Sequence, residues 1–497
     1  MHCTISPRCL KACSRLLVIV LGAALLVMVP NSQLEVVAAG QQQFASARGQ
    51  ERTRYDIVGS TETNIGDGFT LVAVGDAIVT RPLTRLRDPG FDAALKILRN
   101  ADVTFGNLET SIFDIKTFKG APQAEYGGAY HASLPELGPD LRAMGFNMMA
   151  RANNHALDWG VEGMRDTTAA LDQNGIIHAG TGENRAQAGA ARFLDTPKGR
   201  VSLLSYATTY STLARAEAPA GEASGRPGLN GLRLTRTTIV TREMLDSLRR
   251  IRDALPGPLR RHEDDPNELS FGGARYKVGD KPSYSYEPNE RDMKDILRNV
   301  RSGKQFSDFC IVTDHGHEPG NWSQEPPDYL QPFAHQAIDA GADAFIVHGP
   351  HQIRGIEIYK GRPIFYSVGN FIMDDLRTPV GYDMYEAHSK DPEVNTDAEV
   401  TVHEMASGFS EEIWYESIIT VSRFERNQLA EIRIYPVELD HGGRFADRGI
   451  PRLAAPLLGK SILERLQKLS KPYGTVIVIE QGVGIIRLGE NAAKPKE

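Results

Sequence analysis

Apolar and polar positions follow two rhythms along this chain. From residue 69, short apolar runs of strand length each end in a polar turn, and stretches with apolar residues at helical spacing come next. FTLVAVGD (69–76) reads as a buried strand entering a Gly-Asp turn, and FDAALKILR (91–99) as an amphipathic helix. DVTFGNLE (102–109) is a strand with a carboxylate at its end, and LPELGPDLRAMG (134–145) is helical. FNMMARANNHALDWG (146–160) is a strand running into a polar turn, and VEGMRDTTAALDQNG (161–175) is a helix. GIIHAGTG (175–182) and the strand RVSLLSYAT (200–208) follow. Strands alternating with helices predict a largely parallel sheet with crossover connections.

The rhythm breaks over about 211–291, which is rich in Gly, Pro, Ala and charge and holds one helical stretch, TREMLDSLRRIRDAL (241–255). This is an insertion, either a cover for a site or a surface excursion. The alternation resumes with the helix RDMKDILRNVRS (291–302), the strand and turn DFCIVTDHGHE (308–318), a helix around PFAHQAIDAGA (332–342), and the apolar run AFIV (344–347) entering HGPH. Beyond about residue 405 the second rhythm appears. EIWYESIITVSRFERNQLAEIRIYPVEL (412–439) alternates like antiparallel strands, KSILERLQKLSK (460–471) is helical, and TVIVIE with GIIRL (475–488) forms a hairpin pattern. The expected organisation is an export segment at 1–39, a polar linker at 40–65, a main α/β domain at 66–404 carrying the insertion, and a β-rich appendage at 405–497.

At 497 residues the chain is too long for one small core, and its composition is that of a globular protein. A net charge of −7 argues against nucleic acid as the partner, because phosphate binding needs clustered Lys and Arg. At the N-terminus Arg8, Lys11 and Arg15 precede an apolar run over 16–29, with Val37-Ala38-Ala39 as a cleavage site. The run is short for a membrane span, which needs about 20 residues. A cleaved signal peptide is therefore the reading, with an uncleaved anchor as the alternative. The product is expected outside the cytoplasm: periplasmic, at the cell surface, secreted, or held by the N-terminus. Cys3, Cys9 and Cys13 would leave with the signal, so only Cys310 remains, a buried small hydrophobe in the run FCIV.

Five strand ends carry acid, amide or imidazole side chains. In order these are Asp76; Asn107 with Glu109; Asn154 and His155; His315, His317 and Glu318; and His348 with His351. Any one alone reads as a capped turn. Parallel strands, however, point their C-terminal ends to one edge, so the five turns converge on one crevice. Carboxylate, amide oxygen and imidazole without thiolate form a set suited to Zn²⁺, Mn²⁺ or Fe²⁺. Arg81, Arg151 and Arg354 lie near these motifs; each alone reads as a solvated surface arginine, although its planar fork suits a carboxylate or phosphate. On this reading His348→Ala and His351→Ala each lower metal content.

The motifs Gly75-Asp76, GNLE (106–109), NNHALDWG (153–160), HGHE (315–318) and HGPH with GIEIYKGRPIFYSVGNF (348–371) occur in an order that resembles the capsule-biosynthesis CapA family. The resemblance runs from about 69 to 374. It implies an α/β fold of the calcineurin-like metallophosphatase type, a sheet sandwich flanked by helices, with the small C-terminal β-rich appendage. It also implies a link to poly-γ-glutamate capsule synthesis, export or anchoring. Carried over, Asp76 binds a first metal, Glu109 bridges two, and Asn154 is an amide-oxygen ligand. His315 or His317, with His348 and His351, supplies imidazoles, and His155 faces substrate, placed to protonate a leaving group. Arg81, Asn107 and Glu318 are expected to face substrate. Metallophosphatases usually open with Asp-x-His, whereas here Asp76 is followed by Ala77 and Ile78. One imidazole is thus missing, and either one or two divalent ions (Mn, Fe or Zn) fit the set.

The leading expectation is an exported, metal-dependent hydrolase or transferase acting on an anionic polymer such as poly-γ-glutamate, with membrane-bound capsule machinery as a further partner. Two alternatives are a metal-dependent phosphoesterase and a non-catalytic assembly factor whose metal organises a polymer-binding crevice.

Overall fold

The computed structural model describes residues 63–124, 130–256, 265–374 and 376–488. The expected export segment and nearly all of the linker lie outside the described residues. From Glu62 onward the chain forms one compact unit.

The first sheet begins with the parallel strands β1 (Phe69–Val79), β2 (Val103–Leu108), β3 (Met148–Ala150) and β4 (Ile177–Ala179), side by side in that order. The crossovers contain α1 (Pro89–Arg99), α2 (Leu137–Met144) and α3 (Gly160–Gln173). Helix α1 starts where it does because the Asp88 carboxylate accepts from the Gly90 and Phe91 amides and Pro89 presets the first helical φ.

The second sheet holds β5 (Arg192–Thr196), β6 (Gly199–Ala207), β7 (Phe309–His315), β8 (Ala344–His348), β9 (Ile356–Tyr359) and β10 (Arg362–Phe365). Their order is β9-β10-β8-β7-β6-β5, with β6, β7, β8 and β10 parallel. The chain then returns to the first sheet with β11 (Asn370–Asp374), β12 (Glu416–Glu425), β13 (Gln428–Glu438), β14 (Arg452–Leu453), β15 (Val478–Glu480) and β16 (Val483–Arg487).

Alternation along β1 shows how the layers form. Phe69, Leu71 and Ala73 face the second sheet, meeting Phe309, Ile311 and Ile346 in the inter-sheet core. Val72 and Val74 face the other way, onto Leu95 and Leu98 of α1 and Leu141 of α2. The outer face of the second sheet is covered by α5 (Glu290–Gln305) and α6 (Leu330–Asp339), which follow α4 (Arg242–Ala254) in the chain. The result is the expected metallophosphatase-like sandwich of two sheets flanked by helices.

Three features differ from the sequence reading. The first strand does not stop at Asp76 but runs on to Val79, because Ala77, Ile78 and Val79 pair in parallel with Ile372, Met373 and Asp374 of β11. The C-terminal segment is β-rich as expected, yet it extends the main sheet: β12 pairs antiparallel with β1 over Phe69–Ala73, and β13 pairs with β12. Ile462, Leu463 and Leu466 of α8 (Pro456–Ser470) enter the inter-sheet core. The stretch 211–291 contains the expected helix, α4, together with a separate four-stranded sheet that the Gly- and charge-rich composition concealed. Its strands carry few buried residues, so their alternation is weak.

Candidate metal centre

The C-terminal ends of strands from both sheets meet at one edge of the sandwich. Gly75 makes this possible locally, since a Cβ there would come within 1.7 Å of the Gly369 carbonyl oxygen. The close approach lets the Asp76 amide donate to that carbonyl at 3.2 Å, at an irregularity in the register of β1. Asp76 and Glu109 are fully buried and His315 nearly so, and one ligand atom from each lies within 4.8 Å of the others. Asn107 sits among them: its amide nitrogen is 2.9 Å from Asp76 Oδ1, 3.0 Å from Glu109 Oε1 and 3.1 Å from His315 Nδ1. Asn107 is itself held by the Asn153 amide, which donates to Asn107 Oδ1 at 3.1 Å and to the Leu108 carbonyl at 2.8 Å.

Burial, reinforced by the neighbouring Asp76 carboxylate, holds the Glu109 carboxyl well above the usual range. Glu109 Oε2 has no hydrogen-bond partner, and the Nε2 of His155 is 3.7 Å away. Burial also pushes His317 down to about 3 and His315 well below its ordinary value, leaving both rings neutral with a lone pair to offer. Among the described residues no Lys or Arg forms an ion pair with Asp76 or Glu109. Two buried carboxyls with an orphaned oxygen, beside neutral imidazoles, fit a cation. This buried Asp-Glu-His cluster could therefore hold a metal ion.

Several other expected ligands gather around it. Asn154 Oδ1 lies 2.8 Å from His315 Nε2, and His317 Nε2 lies 3.1 Å from the same atom, so both histidines of HGHE reach the centre. His351 adopts a left-handed φ of 57° and has its Nδ1 2.9 Å from Asn370 Oδ1 and 3.8 Å from Asp76 Oδ2. Such a backbone is uncommon outside glycine and is found where surrounding structure enforces it. His155 stands beside the cluster, its Nδ1 2.7 Å from Asp158 Oδ2 and its Nε2 3.0 Å from the Asn154 amide nitrogen. Burial lifts the Asp158 carboxyl above its ordinary range, opposed by His155 and Arg151.

Three expectations need correction. His348 does not join the cluster: its Nε2 meets the Val74 carbonyl at 3.1 Å, its Nδ1 meets Thr313 Oγ1 at 3.1 Å, and its ring packs edge-on against Phe105. With both nitrogens engaged inside the sandwich, it is a satisfied core histidine. Asn107 is buried and spends its amide on the ligands, so it organises them and does not face substrate. Glu318, by contrast, lines the cleft into which the centre opens, accepting from Thr208 Oγ1 at 2.9 Å and Thr209 Oγ1 at 3.0 Å. Arg151 and Arg354, read as surface residues, are fully buried. Arg151 donates to the Leu108 and Thr110 carbonyls on either side of Glu109, and Arg354 to the Glu318 and Ser323 carbonyls, so each braces a site loop. Arg81 remains half-buried and pairs with Asp374 at 3.1 Å, beyond the cluster.

Sequence reasoning missed His131, whose buried ring lies 4.5 Å from the His155 ring, and Asn370, which orients His351. It also missed Glu404 on α7 (Asp397–Gly408), pushed up to about 7 by burial against the pull of His155. His131 and Glu404 lie outside the motifs, and no spacing rule would have found them. Asn370, within GNF, and Asn153, within NNH, lie inside quoted motifs, but their roles there are set by contacts that spacing does not show. The centre opens at His317 into a cleft of about 780 Å³, whose far wall includes Arg215, Arg226, Arg233 and Tyr286 of the 211–291 insertion.

The model of the family described as bacterial capsule synthesis protein PGA_cap, which is of metallophosphatase-like type, matches residues 70–375. The uncharacterized protein y4sH of Sinorhizobium fredii is 61% identical over 445 residues, covering 88% of this chain and 96% of that protein. A probable polyglutamine synthesis accessory protein of Mycobacterium tuberculosis is 28% identical over 297 residues, 59% of this chain and 62% of its own. The PGA biosynthesis protein CapA of Bacillus subtilis is 24% identical over 322 residues, 63% of this chain and 65% of its own.

Proposed function

From the premise that the chain belongs to the bacterial capsule synthesis protein PGA_cap family, we propose that it is an exported, metal-dependent hydrolase or transferase acting on an anionic polymer such as poly-γ-glutamate. The observation that carries this reading is the buried Asp76–Glu109–His315 cluster, with an orphaned carboxylate oxygen and His155 at its side. Asp76, Glu109 and His315 would hold the ion, with Asn154, His317 and His351 within reach as further ligands. A divalent ion bound there supplies Lewis acidity toward a carbonyl or phosphoryl oxygen and toward water.

The protein's own contribution centres on His155. Asp158 accepts the Nδ1 proton, fixing the tautomer and the plane of the ring, so that the neutral ring presents its Nε2 lone pair beside the Asn154 amide. Nε2 faces Glu109 Oε2 at 3.7 Å, on the side where a substrate bond would lie against the cluster. That atom takes a proton from the attacking water and passes it to the departing amine of a cleaved γ-amide, while the Asp158 carboxylate holds the doubly protonated ring in between. Burial of the site excludes bulk water and strengthens each of these interactions. The 61% identical y4sH adds no activity by name, while the relatives named for PGA and polyglutamine synthesis support the choice of an anionic polyamide.

A non-catalytic assembly factor is the second reading, favoured by Ile78, which stands buried where metallophosphatases usually carry an imidazole. The test is to load the full chain with Mn²⁺, Fe²⁺ or Zn²⁺, measure bound metal, and follow chain length of poly-γ-glutamate alongside phosphoester cleavage. Shortened or transferred polymer that requires both metal and His155 is the expected result. Metal binding without turnover of any of these substrates would leave the assembly reading in its place.

A further inference from the structure

A second cleft, of about 550 Å³, shares no lining residue with the 780 Å³ cleft, and of the residues singled out in the sequence only Arg81 lines it. Its rim carries Arg81, Arg85, Lys116 and Arg377. Against these four cations stand two carboxylates, Glu136 on the rim and Asp374 behind Arg81. Arg377 reaches Asp374 only at 4.0 Å, and among the described residues Arg85 and Lys116 have no ion pair. In the larger cleft Arg215, Arg226 and Arg233 share Glu217 and Asp292, and Arg236 lines it with no ion pair among the described residues.

The interior of the second cleft adds an independent sign. Thr80 and Ser133 line it, each only 6% exposed, and the hydroxyl of each lacks a hydrogen-bond partner. Buried hydroxyls without partners cost stability unless something meets them. Phe113, Ile115 and Leu134 supply apolar walls, with Ile115 46% and Leu134 49% exposed. The combination of unbalanced cations, orphaned hydroxyls and apolar walls suits a ligand that alternates carboxylates with methylenes.

Two chain segments link the cleft to the centre. β1 carries Asp76 into the cluster, and Thr80 follows it four residues on, about 13 Å further at strand rise. Ser133 lies two residues after His131, whose ring contacts that of His155. We propose that this cleft is an anchoring subsite that grips successive carboxylates of the polymer chain while a neighbouring bond lies at the metal centre. The inference rests on the polymer reading given above and adds the place and the residues of recognition. Arg85 and Lys116 bind carboxylates at the rim, the Thr80 and Ser133 hydroxyls donate below, and Phe113 and Leu134 contact the methylenes.

The test is binding of an end-labelled γ-glutamyl oligomer to the full chain at low and at physiological salt, for the natural protein, R85E/K116E and T80V. Both rim residues are exposed, so the double variant should fold, and its melting temperature and metal content report this. The expected result is affinity lower by roughly tenfold or more in R85E/K116E, a smaller loss in T80V, and weakening with salt in the natural protein. Equal affinity of the natural protein and both variants overturns the subsite while leaving the polymer reading intact. Polyphosphate bound in preference to the oligomer overturns it as well. Absence of any oligomer binding by the natural protein refutes the polymer reading, and the subsite falls with it.

Discussion

Glu109→Gln separates the cost of the metal centre from its use. Glu109 and Asp76 are both buried with ligand atoms within 4.8 Å; at an effective dielectric of about 20 two charges at that distance would repel by about 3 kcal/mol. Without metal the fold must therefore either bear that repulsion or take up a proton at Glu109, whose carboxyl is held well above its usual range. The Asn107 amide, which donates to both carboxyls, offsets part of this, leaving about 1–3 kcal/mol of strain in the metal-free protein. Glutamine keeps the shape and the Asn107 contact, removes one charge, and turns an amide toward Asp76. In EDTA the variant should therefore melt higher than the natural protein, by about 1–3 °C for a chain of this size. Addition of metal should reverse the order: an ion at about a hundredfold above its dissociation constant stabilises the natural protein by about 2.7 kcal/mol, and the variant loses that increment with its ligand. Differential scanning fluorimetry with EDTA, Mn²⁺ and Zn²⁺ reads both effects. A variant that melts lower in EDTA, or gains as much from metal as the natural protein, would refute the assignment of Glu109 as a buried ligand held in place at a cost to folding.

Other outcomes follow from the same geometry. His348→Ala should leave metal content unchanged and cost about 2–4 kcal/mol of stability, through the cavity and the abandoned Val74 and Thr313 groups, whereas His315→Ala should lose metal; metal loss in His348→Ala would return that residue to the ligand set. His155→Gln should keep metal and lose polymer turnover by about 10²–10⁴-fold, and Asp158→Asn should lose less and shift the pH optimum; unchanged turnover in His155→Gln would remove it from the chemistry. Burial lowers His178 from its ordinary 6.5 to about 4, so between those values the unfolded chain takes up a proton that the folded one refuses, and stability falls as pH falls. Urea midpoints at pH 7 and pH 5 should therefore differ less in His178→Gln than in the natural protein; an equal difference would show that His178 titrates alike in both states. Burial also pushes the Cys310 thiol up to about 12, so it should resist alkylation at pH 8 until the protein unfolds, and rapid labelling of native protein would contradict its burial.

The sequence by itself determined the alternating strands and helices, the edge at which the motif turns meet, and the identity of most groups at that edge. Period-two and period-3.6 apolar patterns report directly which residues must leave water, and parallel strands share a direction, so Asp76, Glu109, Asn154 and His315 could be assigned to one crevice before any contact was known. The tertiary structure decided what each of those groups does. His348 and His351 are three residues apart, yet one ring turns into the sandwich between Val74 and Thr313 and the other, on a left-handed backbone, turns toward Asp76. Sequence spacing does not specify rotamer or backbone sign. Arg151 and Arg354 are buried because loop carbonyls in the interior need donors, a demand created only by the way those loops fold. His131, Asn370 and the cations of the second cleft came into view for the same reason. Asn370 sits inside the GNF motif and the others outside the motifs, but in none of them does spacing show what the side chain faces; only the closing of the two sheets on each other, with the C-terminal strands completing the first, decides it.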